Sequence, residues 1–323
     1  MMNANISLCI NQRFECPECH ASGNWIAITR VMSWHSSTIQ AFGCRRCGEE
    51  VVVKVPRATS ASENGEQPAQ KEYRVLCELQ RTFPQDNQFG TLTPLGYFEL
   101  DGYGAIITKK FVGVDLVRYT SGLADDRRHG LFRPAGILLR KLHDSCPRGY
   151  EPESLGVEGK VDYLARSYGG ELRADPAART LIERFEQESA RVSALVLRAT
   201  WSHGDFKPEN VLCDGHKYLI LDTELDGYAA FVYDIASFLD HLLIAGGAKN
   251  SGIKHCYQQA EDDFLAGYGG LTEQELVALR WAQLYFMLHY WGRYRRRGPL
   301  SAMYANWKIR PLVQKVAAKL QEV

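Results

Sequence analysis

The chain has 323 residues, 45% of them hydrophobic and 24% charged, a balance typical of a soluble globular protein with one large or two moderate domains. Lysine plus arginine equals aspartate plus glutamate at 38 each, so no overall charge favours a nucleic acid or an anionic membrane as partner. No apolar run approaches the about 18 residues of a membrane span, and the first residues lack the pattern of a secretory signal.

The first hundred residues are rich in β-type runs. The segments "NWIAITRVMSW", "STIQAFGC" and "EEVVVKVP" are separated by polar turns and predict three strands. A polar loop at 58–70 precedes a predicted helix at 71–83, which Pro84 ends. The runs "PLGYFEL" and "YGAIITKKF" flank Asp101-Gly102 and predict a hairpin.

Four of the nine cysteines form two pairs, Cys16/Cys19 and Cys44/Cys47, with the spacing C-x2-C-x24-C-x2-C. Two such thiolate pairs are the usual ligands of a structural Zn²⁺. A hairpin folded at the turn "SWHSST" (33–38) brings the segments 16–19 and 44–47 together, so we expect zinc there.

Free thiols or a redox pair are the alternatives to zinc. A nucleic-acid-binding zinc ribbon is disfavoured, because only Arg45 and Arg46 are basic within the pairs. The odd number of cysteines argues against a simple disulfide framework and favours a reducing, cytoplasmic location.

The pattern becomes helical after a connector near 110–116. The sequence predicts an amphipathic helix in "RPAGILLRKLHDSC", a loop at 146–160, and helices near 160–170 and 175–195. A short strand, a polar motif and a hairpin follow, and the segment from "VYDIASFLDHLLIA" onward is mostly helical. This order predicts an α+β protein, with a small β-rich lobe with one helix at 1–112 and a larger, mainly helical lobe at 113–323.

The polar motif "WSHGDFKPENV" stands between the strand and the hairpin. Paired positions of an antiparallel hairpin have a constant sum, and the turn at Asp214-Gly215 therefore places Asn210 beside Asp222. Oxygen ligands of this kind suit Mg²⁺, and the nearby carboxylate of Asp205 is suited to accept a proton from an attacking hydroxyl. These groups together are the equipment of phosphoryl transfer; an ordinary polar turn is the alternative.

These residues resemble the kinase-like superfamily, and within it the aminoglycoside phosphotransferase and choline kinase branch. The segment 203–210 resembles that branch's catalytic loop, and 220–224 resembles its metal segment. The resemblance implies a protein-kinase-like bilobal fold, ATP as phosphoryl donor and a small-molecule acceptor. It also implies that Asp205 is the catalytic base, that Asn210 and Asp222 hold Mg²⁺, and that Lys207 contacts the transferred phosphate.

The resemblance assigns supporting roles as well. It implies that His203 is structural, that Asp234 in "VYDIASFL" anchors the loop, and that Glu224 occupies an often acidic position. Only eleven residues separate Asp222 from Asp234, which leaves no room for a long activation loop and favours a constitutive small-molecule kinase over a regulated protein kinase.

A kinase-like fold needs a strand lysine that holds the nucleotide phosphates and a helix glutamate that holds the lysine. Lys54 in "VVVKV" is the candidate lysine, with Glu72 as its preferred partner and Glu78 as the alternative. A solvent-facing lysine on an edge strand is the other interpretation of Lys54.

The rest of the nucleotide site is predicted by resemblance. Backbone groups from Thr108 to Lys110 are expected to meet the adenine. The turn "SWHSST" lacks the glycines of a phosphate-binding loop, so the hydroxyls of Ser36, Ser37 and Thr38 are the candidate phosphate donors.

The acceptor cues conflict with one another. The predicted acceptor is of aminoglycoside, sugar or amino-alcohol type. The acidic "AEDDF" (260–264) suits a cationic acceptor such as an aminoglycoside or choline, whereas "RYRRRG" (293–298) suits a phosphorylated or acidic one. The aromatic segment 281–294 fits stacking on a sugar, but Trp281, Leu284 and Leu288 have the spacing of a helix core. A kinase of a protein or lipopolysaccharide and a non-catalytic pseudokinase-like binding module remain alternative functions.

Overall fold

The computed structural model describes residues 2–33, 37–56, 67–100, 103–123, 130–145, 151–223, 227–246 and 257–321. The chain divides into two compact units. The first comprises Met1–Gly113 with Leu219–Thr223, and the second comprises Val114–Tyr218 with Glu224–Val323. No helix among the described residues combines the length and the apolar character that crossing a membrane requires.

The described residues of the first unit form two helices and seven strands of its own. These are α1 (Met2–Arg13), β1 (Trp25–Ala27), β2 (Met32–Ser33), β3 (Ser37–Cys44), β4 (Glu50–Pro56), α2 (Pro68–Thr82), β5 (Phe89–Thr91), β6 (Pro94–Leu100) and β7 (Tyr103–Lys109). Strands β1, β3, β4, β7 and β6 form an antiparallel sheet in that order, and β2 also pairs with β3.

Strand β4 is central in this sheet, and a different helix packs against each face of the sheet. Val51, Val53 and Val55 are buried against Ile6 and Ile10 of α1. Because side chains alternate along a strand, Lys54 points to the opposite face. It is directly across from Ile106 of β7, which packs against Ala69 and Leu76 of α2. The edge-strand alternative for Lys54 is therefore wrong.

Two predictions for the first unit need correction. The unit has two helices rather than one, because α1, which no periodicity in "MNANISLCINQR" had indicated, covers the sheet. The first predicted strand is broken into β1 and β2. At the break, the Thr29 hydroxyl accepts the N–H of Ala41 at 3.0 Å, and a side chain thus replaces the ladder hydrogen bond.

The second unit is mainly helical. Its elements are β8 (Val114–Asp115), α3 (Leu116–Ser121), α4 (Arg133–Asp144), β9 (Glu151–Ser154), α5 (Val157–Arg173), α6 (Pro176–Val192), β10 (Val196–Trp201), β11 (Val211–Cys213), β12 (Tyr218–Ile220, which continues into the first unit), β13 (Tyr228–Ala230), α7 (Val232–Gly246), α8 (Tyr257–Tyr268), α9 (Glu273–Arg296), α10 (Pro299–Tyr304) and α11 (Arg310–Lys319). A π-helical turn, Ala305–Ile309, joins α10 to α11.

The sequence of this unit explains how its elements form. A capping box of Thr272 and Glu275 starts the long helix α9, whose buried face carries Trp281, Leu284 and Leu288 as predicted for a helix core. Helices α4 and α8 cross closely because Gly267 has no side chain: a Cβ there would lie 2.0 Å from the Arg133 carbonyl oxygen. The predicted loop at 146–160 is wrong in part, because β9 within it pairs with β10 and α5 already begins at Val157.

Candidate active site

The lysine of β4 lies at the centre of a charged cluster in the first unit. Lys54 Nζ is 2.8 Å from a carboxylate oxygen of Glu72 on α2 and 2.5 Å from one of Asp222. The alternative partner, Glu78, instead pairs with Arg81. Burial opposes the charge on Lys54, but its two carboxylate neighbours outweigh this effect and raise its pKa to about 12. The ammonium is therefore charged at any physiological pH.

The two carboxylates around this lysine differ in exposure. The side chain of Glu72 is 21% exposed, whereas that of Asp222 is 52% exposed. Burial raises the pKa of Glu72, and the Lys54 charge works against that rise. Asp222 has a left-handed backbone conformation with φ of 50°, which residues other than glycine rarely adopt. An exposed carboxylate on a special backbone conformation is typical of a functional position.

The polar motif of the second unit brings Asp205, Lys207 and Asn210 together. A single 3₁₀ turn, Pro208–Asn210, turns Asn210 back so that its Nδ2 donates to the Asp205 carbonyl at 2.9 Å and to Oδ2 at 3.2 Å. Lys207 Nζ donates to the same Oδ2. Oδ1 of Asp205 and Oδ1 of Asn210 have no hydrogen-bond partner in the described part of the chain. The Asp205 side chain is 40% exposed.

A buried carboxylate, Asp234 of α7, holds the start of this loop. It accepts hydrogen bonds from the backbone N–H of His203 at 2.7 Å and from that of Gly204 at 3.2 Å. Gly204 has φ of 85°, a value that few other residues adopt. The loop thus begins with a tight turn in which two successive backbone N–H groups are directed at one anion, the arrangement expected of a loop anchor.

Asp234 is in turn supported by a buried chain of side chains that the sequence analysis missed. His143 Nε2 lies 3.2 Å from Asp234, His143 Nδ1 lies 2.8 Å from the Tyr268 hydroxyl, and Arg198 donates to that hydroxyl at 2.7 Å. Burial lowers the pKa of His143, so the ring is neutral and its Nε2–H donates to Asp234. Burial alone would raise the pKa of Asp234, but this hydrogen bond helps to lower it.

We expect Asp234→Ala to lower the free energy of unfolding of the second unit by about 3–5 kcal/mol, because it leaves several buried donors without an acceptor. Urea unfolding monitored by tryptophan fluorescence measures this change. Asp262→Ala, which removes an exposed carboxylate of α8, is the control and should change the value by less than about 0.5 kcal/mol. A loss below about 1 kcal/mol for Asp234→Ala would contradict the anchoring role. Asp234→Asn, which keeps one oxygen, is expected to lie between the two.

The remaining predicted nucleotide residues have mixed placements. Ser36 lies outside the described residues, as does Glu224 of the metal segment. Ser37 and Thr38 begin β3 and are buried, and Thr108 is buried in β7. The N–H of Lys110 already donates to the Glu50 carbonyl at 3.0 Å, and its side chain pairs with the Glu50 carboxylate at 2.6 Å. Adenine recognition by that N–H would have to compete with an existing bond.

The four paired cysteines converge in the first unit. Their Sγ atoms all lie within 4.8 Å of one another; Cys16 and Cys47 are 3.5 Å apart, and Cys19 and Cys44 are 3.6 Å apart. A tetrahedral zinc site with bonds of about 2.3 Å has sulfur–sulfur edges of about 3.8 Å. All four thiols are free of disulfides.

The backbone around these thiols has the form of two tight turns. His20 and Gly48, each directly after a pair, have φ of 57° and 80° and donate their N–H groups to the carbonyls of Cys16 and Cys44 at 2.9 Å. Although burial works against it, backbone N–H groups hold the pKa of Cys44 at about 7. Lys109 bridges the two turns by its contacts with Glu49 at 3.0 Å and Glu18 at 3.6 Å.

The acidic segment 260–264 takes part in contacts internal to the second unit. Glu261 is fully buried and pairs with Arg280 at 2.6 Å and with Lys319 at 2.5 Å. Asp262 and Asp263 each accept a hydrogen bond from the glutamine four residues earlier. The structure thus favours the interpretation of this segment as part of a packed helix over its interpretation as an acidic cleft.

Comparisons with known proteins agree with this architecture. The sequence profile of the phosphotransferase enzyme family matches residues 41–274. No curated protein sequence matches the chain at a significant level.

Several solved structures are similar over nearly the whole chain. One is a thermostable mutant of the aminoglycoside phosphotransferase APH(4)-Ia in complex with AMP-PNP and hygromycin B, at 13% identity, 98% coverage of both chains and a TM-score of 0.61. A second is the amicoumacin kinase hAmiN in complex with AMP-PNP, Ca²⁺ and Ami, at 12% identity, with coverage of 99% of this chain and 93% of that chain and a TM-score of 0.59. A third is a choline/ethanolamine kinase family protein from Mesorhizobium loti, at 14% identity, with full coverage of both chains and a TM-score of 0.58.

Likenesses at this level of identity establish the fold. The predicted kinase-like α+β fold, with a β-rich first part and a helical second part, is confirmed.

Proposed function

The chain belongs to the phosphotransferase enzyme family, and from this premise we propose that it transfers the γ-phosphoryl group of Mg²⁺-bound ATP to a hydroxyl of a small molecule. The resemblance that the sequence indicated is thereby confirmed, and with it the class of enzyme, a small-molecule phosphotransferase. The observation that carries the proposal is the contact of Lys54 with both Glu72 and Asp222. A permanently charged lysine between a helix glutamate and an exposed aspartate is the arrangement that nucleotide phosphates and their metal require.

Each charged group receives a role in binding. Lys54 is proposed to hold the α- and β-phosphates, and Glu72 keeps its ammonium in place. Asp222 and Asn210 offer the oxygen ligands that Mg²⁺ prefers, and the Oδ1 of Asn210 suits this because its Nδ2 is already bound to Asp205. When bound, the metal neutralises charge that develops on the phosphates.

Asp205 is proposed as the general base. Lys207 and Asn210 both contact its Oδ2, so Oδ1 is the oxygen available to take a proton. The acceptor oxygen attacks the γ-phosphorus as the bond to the β–γ bridging oxygen breaks, and ADP leaves with that electron pair. The acceptor proton passes to Asp205, and Lys207 is near enough to the base to neutralise the transferred phosphate.

The cysteine cluster is proposed to bind one structural Zn²⁺. The distances between the four sulfurs are close to the edges of a ZnS₄ tetrahedron, which fits this metal. Four protein ligands complete the coordination of a structural zinc ion. The ion would join the segment after α1 to the end of β3, and so hold together the sheet that carries Lys54. Four reduced thiolates favour a reducing compartment, so we propose a cytoplasmic location.

Incubation with γ-labelled ATP and Mg²⁺ tests the proposed function. We expect label on a small product when the protein meets a panel of aminoglycosides, amino alcohols, sugars and nucleosides. Label on protein or lipopolysaccharide instead would favour a kinase of those acceptors. Absence of both product and Mg²⁺-dependent background hydrolysis of ATP would favour a pseudokinase-like binding module.

A further inference from the structure

One lysine of the second unit has aromatic neighbours but no acidic ones. Lys160 of α5 is partly buried, and its Nζ lies 5.0 Å from the ring centroid of Tyr233 and 5.2 Å from that of Tyr285. It forms no ion pair within the described ranges of the chain. Burial lowers its pKa, and no carboxylate counteracts this effect. Its positive charge is thus compensated only by ring faces.

Two further basic groups lie beside this lysine on α9. His289 stacks on Tyr163 at 5.8 Å, and its Nδ1 is buried without a hydrogen-bond partner. Arg293, one turn later, is exposed and has no ion-pair partner among the residues that the structure describes. Burial lowers the pKa of His289, and the charges of Arg293 and Lys160 act in the same direction. Lys160 and Tyr163 of α5 contact Tyr285 and His289 of α9, and Arg293 follows His289 by one turn, so the three basic groups lie along the same pair of helices.

The other arginines of the predicted basic segment are already engaged. Arg295 pairs with Asp175 at 2.8 Å, Arg296 lies 3.8 Å from Glu171, and Arg297 covers the ring of Tyr294. The conflict between the two acceptor cues is thus resolved at the level of single residues. The acids of 260–264 have internal partners, whereas Arg293 and Lys160 are available to a ligand.

Tyr290 connects these basic groups to the proposed catalytic base. Its hydroxyl is 2.7 Å from His241 Nε2, and His241 Nδ1 is 3.7 Å from Glu209 in the polar motif. Burial raises the pKa of Tyr290, and the charges of Asp205 and Arg293 also act on it. Its ring also contacts that of His289 at 5.6 Å. These contacts lead from His289 to the polar motif that carries Asp205.

We propose that Lys160, His289 and Arg293 form a subsite for an anionic group, a carboxylate or a phosphate, carried by the acceptor at a distance from the hydroxyl that is phosphorylated. The anion supplies the missing counter-charge to Lys160 and accepts a hydrogen bond from Arg293. Tyr163, which stacks on His289, and Tyr233, whose ring lies beside Lys160, offer ring faces to the apolar part of the acceptor. This inference rests on the proposed function and names the acceptor class for it.

Histidine side-chain NMR tests the subsite with simple anions as probes. The protein is saturated with AMP-PNP and Mg²⁺ so that the nucleotide site is closed to the probe. Inorganic phosphate and acetate are then titrated separately at constant ionic strength. We expect a saturable shift of the His289 signal, with a dissociation constant on the order of millimolar for the better probe. The stronger of the two identifies the chemistry of the anion.

Variants make the assignment specific. The pair Lys160→Gln and Arg293→Gln should weaken probe binding at least about 10-fold, as expected when two charge-assisted contacts are lost. The charge-preserving pair Lys160→Arg and Arg293→Lys should retain most of it. The matched control is Lys308→Gln with Arg297→Gln, which removes a lysine and an arginine that also lie over rings, those of Trp307 and Tyr294. This control should bind like the unaltered protein.

Glucose, glucuronate and glucosamine provide the activity test, because they share one ring and differ in charge. We expect glucuronate to be phosphorylated with the highest kcat/KM, and the Gln pair to raise its KM more than it lowers kcat. No saturable His289 shift, an unchanged shift in the Gln pair, or preference for glucosamine would each overturn the subsite. These results do not bear on the proposed function, which is tested by a different measurement. That function is contradicted only if the protein shows no Mg²⁺-dependent phosphoryl transfer or ATP hydrolysis that depends on Asp205.

Discussion

Asp205→Asn is expected to lower the turnover of phosphoryl transfer by about 10²–10⁴-fold, the usual effect of removing a general base. This corresponds to about 2.7–5.5 kcal/mol of activation free energy. The amide keeps the shape of the side chain and an oxygen for the contacts of Lys207 and Asn210, but it cannot take the acceptor proton. Nucleotide binding, measured by calorimetry with AMP-PNP and Mg²⁺, should stay within about threefold because the phosphate ligands are unchanged.

The control for this variant is Asp162→Asn. Asp162 is an exposed carboxylate on α5 whose only described ion pair is a contact of 3.8 Å with Arg166, and its loss should leave turnover unchanged within about twofold. Equal turnover of Asp205→Asn and the unaltered enzyme would refute the role of the base. Equal loss of turnover and of nucleotide binding would instead assign Asp205 a structural or binding role.

Removal of the proposed zinc from the cysteine cluster is expected to unfold or strongly destabilise the first unit. Metal binding to four thiolates is coupled to folding, and in small zinc domains it provides most of the folding free energy. The first unit also has a hydrophobic core of its own, so we expect a fall of at least about 3 kcal/mol and a drop of about 10 °C or more in the melting temperature. Calorimetric melting with and without a strong chelator measures the drop.

Cysteine variants connect this effect to the cluster. Cys16→Ser should reproduce the chelator effect, whereas Cys77→Ser, on α2 and outside the cluster, should shift the melting temperature by only a few degrees. Elemental analysis of protein purified without chelator should give one zinc per chain. Protein that contains no zinc would exclude the site, even if the serine variant proved too unstable to isolate.

Much of the fold was predictable because the local patterns were strong. The alternation in "EEVVVKVP" and the amphipathic repeat in "RPAGILLRKLHDSC" specify their element types without tertiary information. Helix α1 was not predictable in this way, because its described contacts with the core come from Ile6, Cys9 and Ile10, and its sequence has almost no apolar stripe. Strand β9 was missed for a similar reason: "EPES" becomes a strand by pairing with β10 and not by its own preference.

The residues of the candidate site likewise divide into those that a local sequence motif indicates and those that only the fold brings together. Asp205, Asn210 and Asp222 belong to short motifs whose spacing carries the chemistry, and their roles remain predictions of this article. The support of Asp234 by His143 and Tyr268 was not predictable, because it joins residues from α4, α7 and α8 that are far apart in the sequence. The one available signal was a histidine on the apolar face of a predicted helix, and most such histidines have no role in a functional site.

The position of the cysteine pairs has a consequence for the first unit. The family profile matches from residue 41, inside β3 (Ser37–Cys44), so Cys16 and Cys19 precede the matched residues, whereas Cys44 and Cys47 lie within them. The segment before residue 41 is not an independent module joined by a linker, since α1 packs on the sheet, β1 pairs with β3, and the segment supplies two sulfurs to the cysteine cluster. The profile-matched part of this unit and the segment before it therefore share one core, and a change in either is expected to disturb the packing of the other.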